Sequence, residues 1–290
     1  MKDKICLITG ANAGIGKETA RALAQQEAHV IMLCRNQAKA ERARQDIIQS
    51  CRHDQVDIVL ADLASFAQIR EAAAHINETY PKIDVLINNA GLLAGKERTT
   101  TQDGFETTFG VNHLAPFLLT HLLLDKVVAS GRGNIINVAS HAHKFGKLNF
   151  NNLQFQHGGY SAIKAYCLSK LCNVLFTLEL SRRIEDLPVV TNCLHPGGIA
   201  SNFGTTSSGL GGILMKLLRP FLKTPAEGAE TSVYLATSGE GYAVSGRYFN
   251  NKKMVSPSKE ASSEYNAQRL WEISEDLLKI EFLPQPVVSS

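Results

Sequence analysis

Short apolar runs alternate with longer segments of helical periodicity along most of the chain, and this alternation restricts the fold more than any other feature. The strand candidates are 4–9, 29–34, 56–60, 83–87, 133–138, 188–194 and 245–249. The helix candidates are 15–26, 37–50, 66–79, 105–129, 160–184, 225–237 and 262–278. A run such as 85–87 is apolar at successive positions, as expected where helices cover both faces of a sheet. The pattern predicts an α/β fold with a doubly wound parallel sheet of about seven strands.

A single domain can hold all 290 residues, since no linker, repeat or low-complexity tract divides the chain. Apolar residues make up 44% of the chain, which is enough for a sizeable core. The net charge of +3 is nearly neutral at this size, so we expect no nucleic-acid partner.

The cysteines and the hydropathy pattern indicate the compartment. None of the six cysteines forms a CxxC or other metal-like spacing, so we expect buried thiols in a reducing environment and no metal site. No stretch approaches the roughly 20 apolar residues that a membrane-spanning helix needs. We therefore expect a cytoplasmic protein, at most peripheral to a membrane.

A glycine-rich turn joins the first strand to the first helix. Its sequence is Thr9-Gly-Ala-Asn-Ala-Gly-Ile-Gly16. Glycines permit a tight turn and let the backbone approach a pyrophosphate at the helix N-terminus, although such a turn can also be purely structural. The spacing is Gly-x3-Gly-x-Gly, which differs from the common Gly-x-Gly-x2-Gly dinucleotide fingerprint.

The second strand ends in Arg35, without the acidic residue that would bind an adenosine ribose 2′-hydroxyl. A cation at this position favours a 2′-phosphate, so the sequence predicts NADP(H) rather than NAD(H). Lys17, one residue beyond the glycine-rich turn, could add to this charge. Either cation could instead be a solvated surface residue.

Tyr166 and Lys170 lie four residues apart in a predicted helix and therefore share one of its faces. A phenol, with an ordinary pKa of about 10, needs a nearby cation before it exchanges protons readily at neutral pH. Lys170 could supply that charge and hold a nicotinamide ribose, while Tyr166 protonates a carbonyl oxygen as hydride arrives. Tyr160 and Lys164 have the same spacing, but Tyr160 lies at the expected helix start, so we favour the second pair.

Two further polar residues are candidates for the same site. Ser140 follows the fifth predicted strand, where its hydroxyl could orient the reacting oxygen or could cap the next turn. Asn112 interrupts a mostly apolar predicted helix. Its side chain could hold a water that links Lys170 to solvent, or bond its own backbone.

These motifs, in this order, resemble the short-chain dehydrogenase/reductase superfamily over essentially the whole chain. Within it, the chain is similar to the retinol dehydrogenase-like branch. The segments that carry the resemblance are Thr9–Ala20, Asn88–Gly91, Asp103–Phe105, Val111–Leu114, Ala165–Lys170, Leu194–Gly197 and Lys223–Pro225.

The resemblance implies a Rossmann-type sheet, an NADP(H) cofactor and hydride transfer between nicotinamide and a carbonyl or alcohol. It implies a catalytic set of Asn112, Ser140, Tyr166 and Lys170. The implied cofactor-binding residues are Gly10, Asn12, Gly14, Ile15, Gly16, Arg35, Asp62, Leu63, Asn89, Ala90, Gly91, Tyr166, Lys170, Pro196, Gly197 and Ile199. Asp62 would contact the adenine, Asn89 the adenosine side, and the backbone near Ile199 the carboxamide. It also implies a homodimer through the helices at 105–129 and 160–184.

The gap between Ser140 and Tyr166 is longer than in most of the superfamily, and this also resembles the retinol branch. We expect the three histidines in it, His141, His143 and His157, at the surface or the pocket rim rather than on a metal.

Residues 199–224 are the expected substrate lid. Within them, 213–223 alternates bulky apolar residues with cations. This pattern suits a lipophilic carbonyl or alcohol substrate, shallow docking on a membrane, or a lid packed on the core or a dimer partner.

The leading interpretation is therefore an NADP(H)-dependent oxidoreductase. A catalytically idle NADP(H)-binding regulator of the same fold is the alternative, although it would not need all four catalytic candidates. An epimerase or dehydratase of the superfamily is less favoured, because those usually carry a different glycine spacing and a larger C-terminal region.

Overall fold

The computed structural model describes residues 1–197 and 223–282, which form a sheet with helices on both faces. The strands are β1 (Ile5–Thr9), β2 (His29–Cys34), β3 (Val56–Leu60), β4 (Val85–Asn88), β5 (Gly133–Val138), β6 (Val189–His195), β7 (Arg247–Asn250) and β8 (Lys253–Met254). The α-helices are α1 (Gly14–Ala24), α2 (Gln37–Gln49), α3 (Phe66–Thr79), α4 (Thr107–Phe109), α5 (Ala115–Val128), α6 (Ala162–Arg183), α7 (Pro225–Thr237), α8 (Gly239–Ala243) and α9 (Glu264–Leu278). The expected lid, with its 213–223 segment, lies outside the described residues apart from Lys223 and Thr224.

The strand order is β3-β2-β1-β4-β5-β6-β7-β8, and all neighbouring pairs are parallel except β7 with β8. The chain winds outward from β1 to β3, then returns to the centre and winds the other way from β4. The order therefore reverses between β1 and β4, where such sheets form a crevice beyond their carboxyl ends. The predicted doubly wound parallel sheet is confirmed.

The sheet is apolar on both faces because a separate core covers each face. Along β1, Cys6 and Ile8 belong to one cluster, while Leu7 between them belongs to the other. The first cluster includes buried residues of α1, α2 and α7, and the second includes those of α3, α5, α6 and α9. Two-sided burial explains why the strands read as continuous apolar runs.

The eighth strand was not predicted, since the sequence indicated about seven. Two residues between β7 and β8, Asn251 and Lys252, have left-handed φ angles of 49° and 61°. Positive φ at both central positions of a two-residue turn suits a hairpin, so the chain reverses and adds β8 antiparallel at the edge. A two-residue exposed strand carries too little periodicity for detection.

The single helix predicted at 105–129 is divided. A π-helical turn, Gly110–Leu114, lies between α4 and α5 and contains Asn112. Such turns widen the helix locally and occur often at functional sites.

Helix α6 is encased by its own chain. From Ala165 to Leu180, every residue except Tyr166 and Leu178 is buried. Trp271 of α9 stacks on Phe176 of α6 with ring centroids 5.9 Å apart, and also packs on Phe117 of α5 at 4.7 Å. Most of α6 is therefore covered by elements of its own chain, and the expected homodimer stays a prediction.

No helix within residues 1–197 and 223–282 combines the length and apolar character needed to cross a bilayer.

Candidate active site

Thr9, at the carboxyl end of β1, joins the glycine-rich turn to the loop that follows β4. Its Oγ1 accepts hydrogen bonds from the backbone N–H groups of Asn89 at 3.0 Å and Ala90 at 2.9 Å. The Asn89 side chain donates through Nδ2 to the Thr9 carbonyl at 2.8 Å. The two sides of the crevice between β1 and β4 are thereby held in one fixed arrangement.

Gly16 is required where the turn meets Asn89. A Cβ on Gly16 would lie 2.6 Å from the Gly10 carbonyl oxygen and would overlap Asn89 Nδ2. Gly10 itself has a φ of +68°, which an L side chain rarely adopts. The glycines are therefore needed for the tight turn itself, and Asn89 fills the space they leave. Their role at a pyrophosphate stays a prediction.

The N-terminus of α1 has no protein cap. Its N-cap residue, Ala13, offers no side-chain acceptor, and its first turn contains no acidic residue. By contrast, side chains cap α2, α3, α6, α7 and α9. Gly14 has a φ of +56° and open space where a Cβ would project. Open N–H groups, open space and the helix dipole together fit a bound phosphate.

Arg35 and Asp62 meet at the outer end of this cleft, after β2 and β3. Arg35 Nη1 lies 3.6 Å from Asp62 Oδ2, and the arginine side chain is 71% exposed. A pair this exposed contributes little stability, so the guanidinium is free to bind an additional anion. Leu63, next in the chain, is partly buried beside this pair.

Lys17 does not face the cleft. Its ammonium forms an ion pair with Asp46 of α2, and Arg21 Nη2 binds the same carboxylate at 2.6 Å. The two cations lower the pKa of Asp46 to about 2. The suggestion that Lys17 adds charge at a 2′-phosphate is therefore wrong, because the lysine is engaged between two helices.

Asn112 holds the loop that follows β4. The Asn112 side chain is buried within the π-helical turn and accepts the Leu92 N–H at 2.8 Å through Oδ1. Its Nδ2 donates to the Leu92 carbonyl at 2.9 Å and to Ser169 Oγ at 3.0 Å. The side chain thus bonds the backbone of a distant loop rather than its own.

Lys170 is buried beside this loop. Its Nζ donates to the Val138 carbonyl at 2.9 Å and would lie 3.2 Å from a Cβ placed on Gly91. A side chain at Gly91 would therefore crowd the ammonium. The same Nζ lies 5.7 Å from the centre of the Tyr166 ring, so the predicted pair does converge.

Ser140 completes the set from the end of β5. Its Oγ accepts the Ala142 N–H at 3.2 Å, which caps the short 3₁₀ helix His141–Phe145. The same hydroxyl is hydrogen-bonded to the Tyr166 phenol. Capping of the next turn, one of the two alternatives in the sequence, is therefore present. Orientation of a reacting oxygen by Ser140 stays a prediction.

The electrostatics of the pair follow from burial. Burial raises the pKa of Tyr166, while the hydrogen bond from Ser140 opposes this rise. Burial also lowers the pKa of Lys170 to about 8. Both shifts disfavour the charged forms in a low-dielectric environment, so at neutral pH the site holds a neutral phenol beside an ammonium that can lose its proton.

Tyr160 lies outside this group, as the sequence favoured. It precedes α6, and its hydroxyl donates to the Gly95 carbonyl at 3.1 Å. The two tyrosines have the same spacing to a lysine but differ in position: Tyr160 precedes the helix, whereas Tyr166 lies within it, next to Ser140.

The segment after β6 is only partly described. Pro196 and Gly197 are partly exposed, and Gly197 has a φ of +97°. The Lys223 side chain lies against Gly197, where a Cβ would come within 2.6 Å of its Cδ. Ile199, the expected carboxamide contact, lies outside the described residues.

The remaining cofactor candidates, Asn12 and Ile15, are partly buried in the glycine-rich turn, and Ala90 follows Asn89 at the crevice.

Sequence reasoning missed two residues that shape the site. Thr9 was quoted in the motif without a role, although a hydroxyl at a strand end, next to the first glycine, was the available signal. His143 was expected at the surface or rim, but it is fully buried. The other two histidines of that segment, His141 and His157, are exposed.

The geometry of the sheet, the uncapped α1 and the convergence of Ser140, Tyr166 and Lys170 are typical of nicotinamide-dependent oxidoreductases. The short chain dehydrogenase profile matches residues 4–208, and the chain belongs to this family. Its relatives place it in the retinol dehydrogenase-like branch. It is 44% identical to human retinol dehydrogenase 13 over 96% of this chain and 85% of that protein. It is 42% identical to mouse retinol dehydrogenase 12 over 96% of this chain and 87% of that one.

Among solved structures, the chain is similar to an uncharacterised protein from Mycobacterium paratuberculosis. The TM-score is 0.80 at 32% identity, and the match covers 98% of this chain and 96% of that chain. The predicted family and fold are therefore confirmed, and the protein is an oxidoreductase by family.

Proposed function

We propose that the protein is an NADP(H)-dependent oxidoreductase that transfers hydride between the nicotinamide and a lipophilic carbonyl or alcohol. The observation that carries the proposal is the convergence of Ser140, Tyr166 and Lys170 beside Gly91, at the edge where the strand order reverses.

In this proposal Tyr166 is the acid–base group. Its phenol donates a proton to the carbonyl oxygen in reduction and removes the alcohol proton in oxidation. Ser140 orients the same oxygen through its hydroxyl. Lys170 stabilises the phenolate that forms when the proton leaves, and Asn112 keeps the neighbouring loop in register. When bound, the nicotinamide supplies the hydride to the carbonyl carbon or accepts it from the alcohol carbon.

The preference for NADP(H) rests on Arg35. The end of β2 presents this exposed guanidinium and no acidic side chain of its own. Asp62, after β3, leaves Arg35 one longer contact of 3.6 Å rather than a close bidentate pair. An adenosine 2′-phosphate would find a cation here, at the far end of the cleft from Tyr166.

The lipophilic substrate rests on exposed apolar side chains in the segments that carry the site. Three large apolar side chains are exposed close in sequence to Gly91, Ser140 and Tyr166. They are Leu93 (37% exposed), Phe145 (73%) and Ile163 (69%). Apolar side chains together with a few polar groups are the ordinary composition of a site for an apolar ligand. The retinol dehydrogenases to which the chain is similar carry a lipophilic alcohol in their names.

The test is NADPH oxidation with a panel of aldehydes and ketones, retinal included. We compare wild type with Tyr166→Phe and use Tyr160→Phe as the matched control. We expect Tyr166→Phe to lose at least about a hundredfold in kcat, the usual contribution of a general acid. Tyr160→Phe should keep wild-type turnover.

A lipophilic preference requires kcat/KM to rise with the chain length of the aldehyde. Wild-type protein that binds NADPH but reduces no member of the panel would favour the idle regulator instead. Loss of activity in the Tyr160 variant alone would show that the wrong tyrosine has been assigned.

A further inference from the structure

His143, three residues after Ser140, is fully buried, and both of its ring nitrogens have hydrogen-bond partners. Its Nδ1 lies 2.8 Å from the backbone carbonyl oxygen of Ser140. Its Nε2 lies 3.1 Å from the backbone nitrogen of Ser258, which follows β8. The ring also packs edge-on against Tyr248 of β7, with centroids 4.8 Å apart.

These two partners determine the tautomer. A carbonyl oxygen only accepts, so Nδ1 must carry the hydrogen and donate it to Ser140. A backbone N–H only donates, so Nε2 must be bare. Burial lowers the pKa of His143 below its ordinary value, which keeps the ring neutral at pH 7.

The contact acts on the residue that bonds the catalytic phenol. The Ser140 carbonyl accepts two hydrogen bonds from His143, one from Nδ1 and one from the backbone N–H at 3.1 Å. Two bonds to one carbonyl fix the orientation of its peptide unit. Because Ser140 Oγ is bonded to Tyr166, a rotation of that unit would move the hydroxyl away from the phenol.

We propose that His143, as a neutral Nδ1–H tautomer, is a positioning residue that holds Ser140 in place against Tyr166 and ties it to the segment after β8. This inference rests on the proposed function for its effect on turnover. It adds a connection from the catalytic serine to the C-terminal part of the chain.

Two substitutions separate the two ring nitrogens. His143→Asn places an amide N–H near the position of Nδ1 and loses the acceptor for Ser258. His143→Gln places an amide oxygen near Nε2 and loses the donor to Ser140. Both lose the ring contact with Tyr248, and thermal unfolding and NADPH affinity report whether each folds.

We expect His143→Asn to keep kcat within about threefold of wild type. His143→Gln should lose on the order of tenfold in kcat with little change in KM, as for one hydrogen bond that acts only on the reacting geometry. Equal kcat in the two variants, once corrected for the folded fraction, would overturn the proposal, since a purely structural role predicts that result.

The tautomer gives a readout that does not depend on turnover. Nitrogen-15 NMR of wild-type protein at pH 7 should show His143 protonated on Nδ1 alone. A hydrogen on Nε2 would overturn the inference. If the wild-type protein reduces no carbonyl, the proposed function is refuted, but the NMR result still reports the tautomer of His143.

Discussion

Asn112 pairs with Leu92 as a neighbouring strand would. The side-chain amide accepts the Leu92 N–H at 2.8 Å and donates to the Leu92 carbonyl at 2.9 Å. The π-helical turn around Asn112 sets this amide against the loop after β4. The loop that borders Lys170 and Gly91 is therefore held by a side chain through the two bonds that a paired strand would supply.

Asn112→Ala should destabilise the protein by about 1–3 kcal/mol, because the partly buried N–H and C=O of Leu92 lose their partners. It should also lower kcat/KM at least about tenfold, since the loop beside Lys170 loses its register. Denaturant unfolding and steady-state kinetics measure the two effects. Asn77→Ala is the control, because Asn77 Nδ2 bonds the Leu122 carbonyl at 3.0 Å, away from the site. Equal activity loss in both variants would contradict a local role.

Carbonyl reduction should fall as pH rises through about 8, the pKa to which burial lowers Lys170. Below this pH the ammonium is charged and stabilises a Tyr166 phenolate, and above it that stabilisation is lost. Stability changes the opposite way. Because the folded pKa lies below the unfolded one, this lysine contributes increasing stability from about pH 8 towards 10.4.

The pH profile of kcat/KM, recorded beside the unfolding temperature, separates the two effects. Lys170→Met should have low activity, and its kcat/KM should no longer fall around pH 8. Lys164→Met changes an exposed lysine of the same helix and should leave the profile intact. If kcat/KM of Lys170→Met still falls around pH 8, a group other than Lys170 causes the fall.

Gly16→Ala should weaken NADPH binding at least about tenfold. The new methyl group would overlap Asn89 Nδ2 and lie 2.6 Å from the Gly10 carbonyl, so the turn must open. Overpacking of this kind typically costs about 1–3 kcal/mol. Titration of cofactor fluorescence measures the affinity. Gly239→Ala is the matched control, because nothing lies within 4 Å of its Cβ position, and full affinity in Gly16→Ala would refute the clash.

Arg35→Ser should reduce the preference for NADPH over NADH about tenfold or more. A charge-assisted hydrogen bond contributes about 1.5–3 kcal/mol, and only NADPH has the phosphate that would receive it. The ratio of kcat/KM for the two cofactors is the measurement. Arg42→Ser removes an exposed cation from α2 and should leave the ratio unchanged. Equal turnover of wild type with both cofactors would remove the argument from Arg35.

The chain should be a monomer in solution, because nearly every residue of α6 from Ala165 to Leu180 is buried within the chain itself. Light scattering coupled to size exclusion measures the mass, and a stable dimer would require another interface.

Trp271→Ala should destabilise the fold by about 3–5 kcal/mol through loss of a fully buried aromatic. Tyr265→Ala on the same helix should be nearly neutral, since Tyr265 is 72% exposed.

The sheet could be predicted because strands that are buried on both faces appear in the sequence as continuous apolar runs, such as Val85–Ile87. It also predicted which side chains gather at the strand ends, since topology alone brings Ser140 and Tyr166 to one edge. Tyr160 could be set aside because it precedes the helix, a boundary that is readable from Gly158 and Gly159.

Contacts between segments that are far apart in the chain could not be predicted from the sequence. The partner of Asn112 is Leu92, and that of His143 is Ser258, and neither pair has a spacing that a local pattern could reveal. Lys17 was misjudged for the same reason. Proximity to the glycine-rich turn suggested a role there, whereas the position of Asp46 on α2 decided its partner.

The encasement of α6 bears on how the protein behaves at very low concentration. In an enzyme whose catalytic helix is supported by a neighbouring subunit, dilution releases that support and specific activity falls. Here the helix that carries Tyr166 and Lys170 is supported by Trp271 and Phe117 of the same chain. Turnover per molecule should accordingly stay constant from micromolar to nanomolar protein.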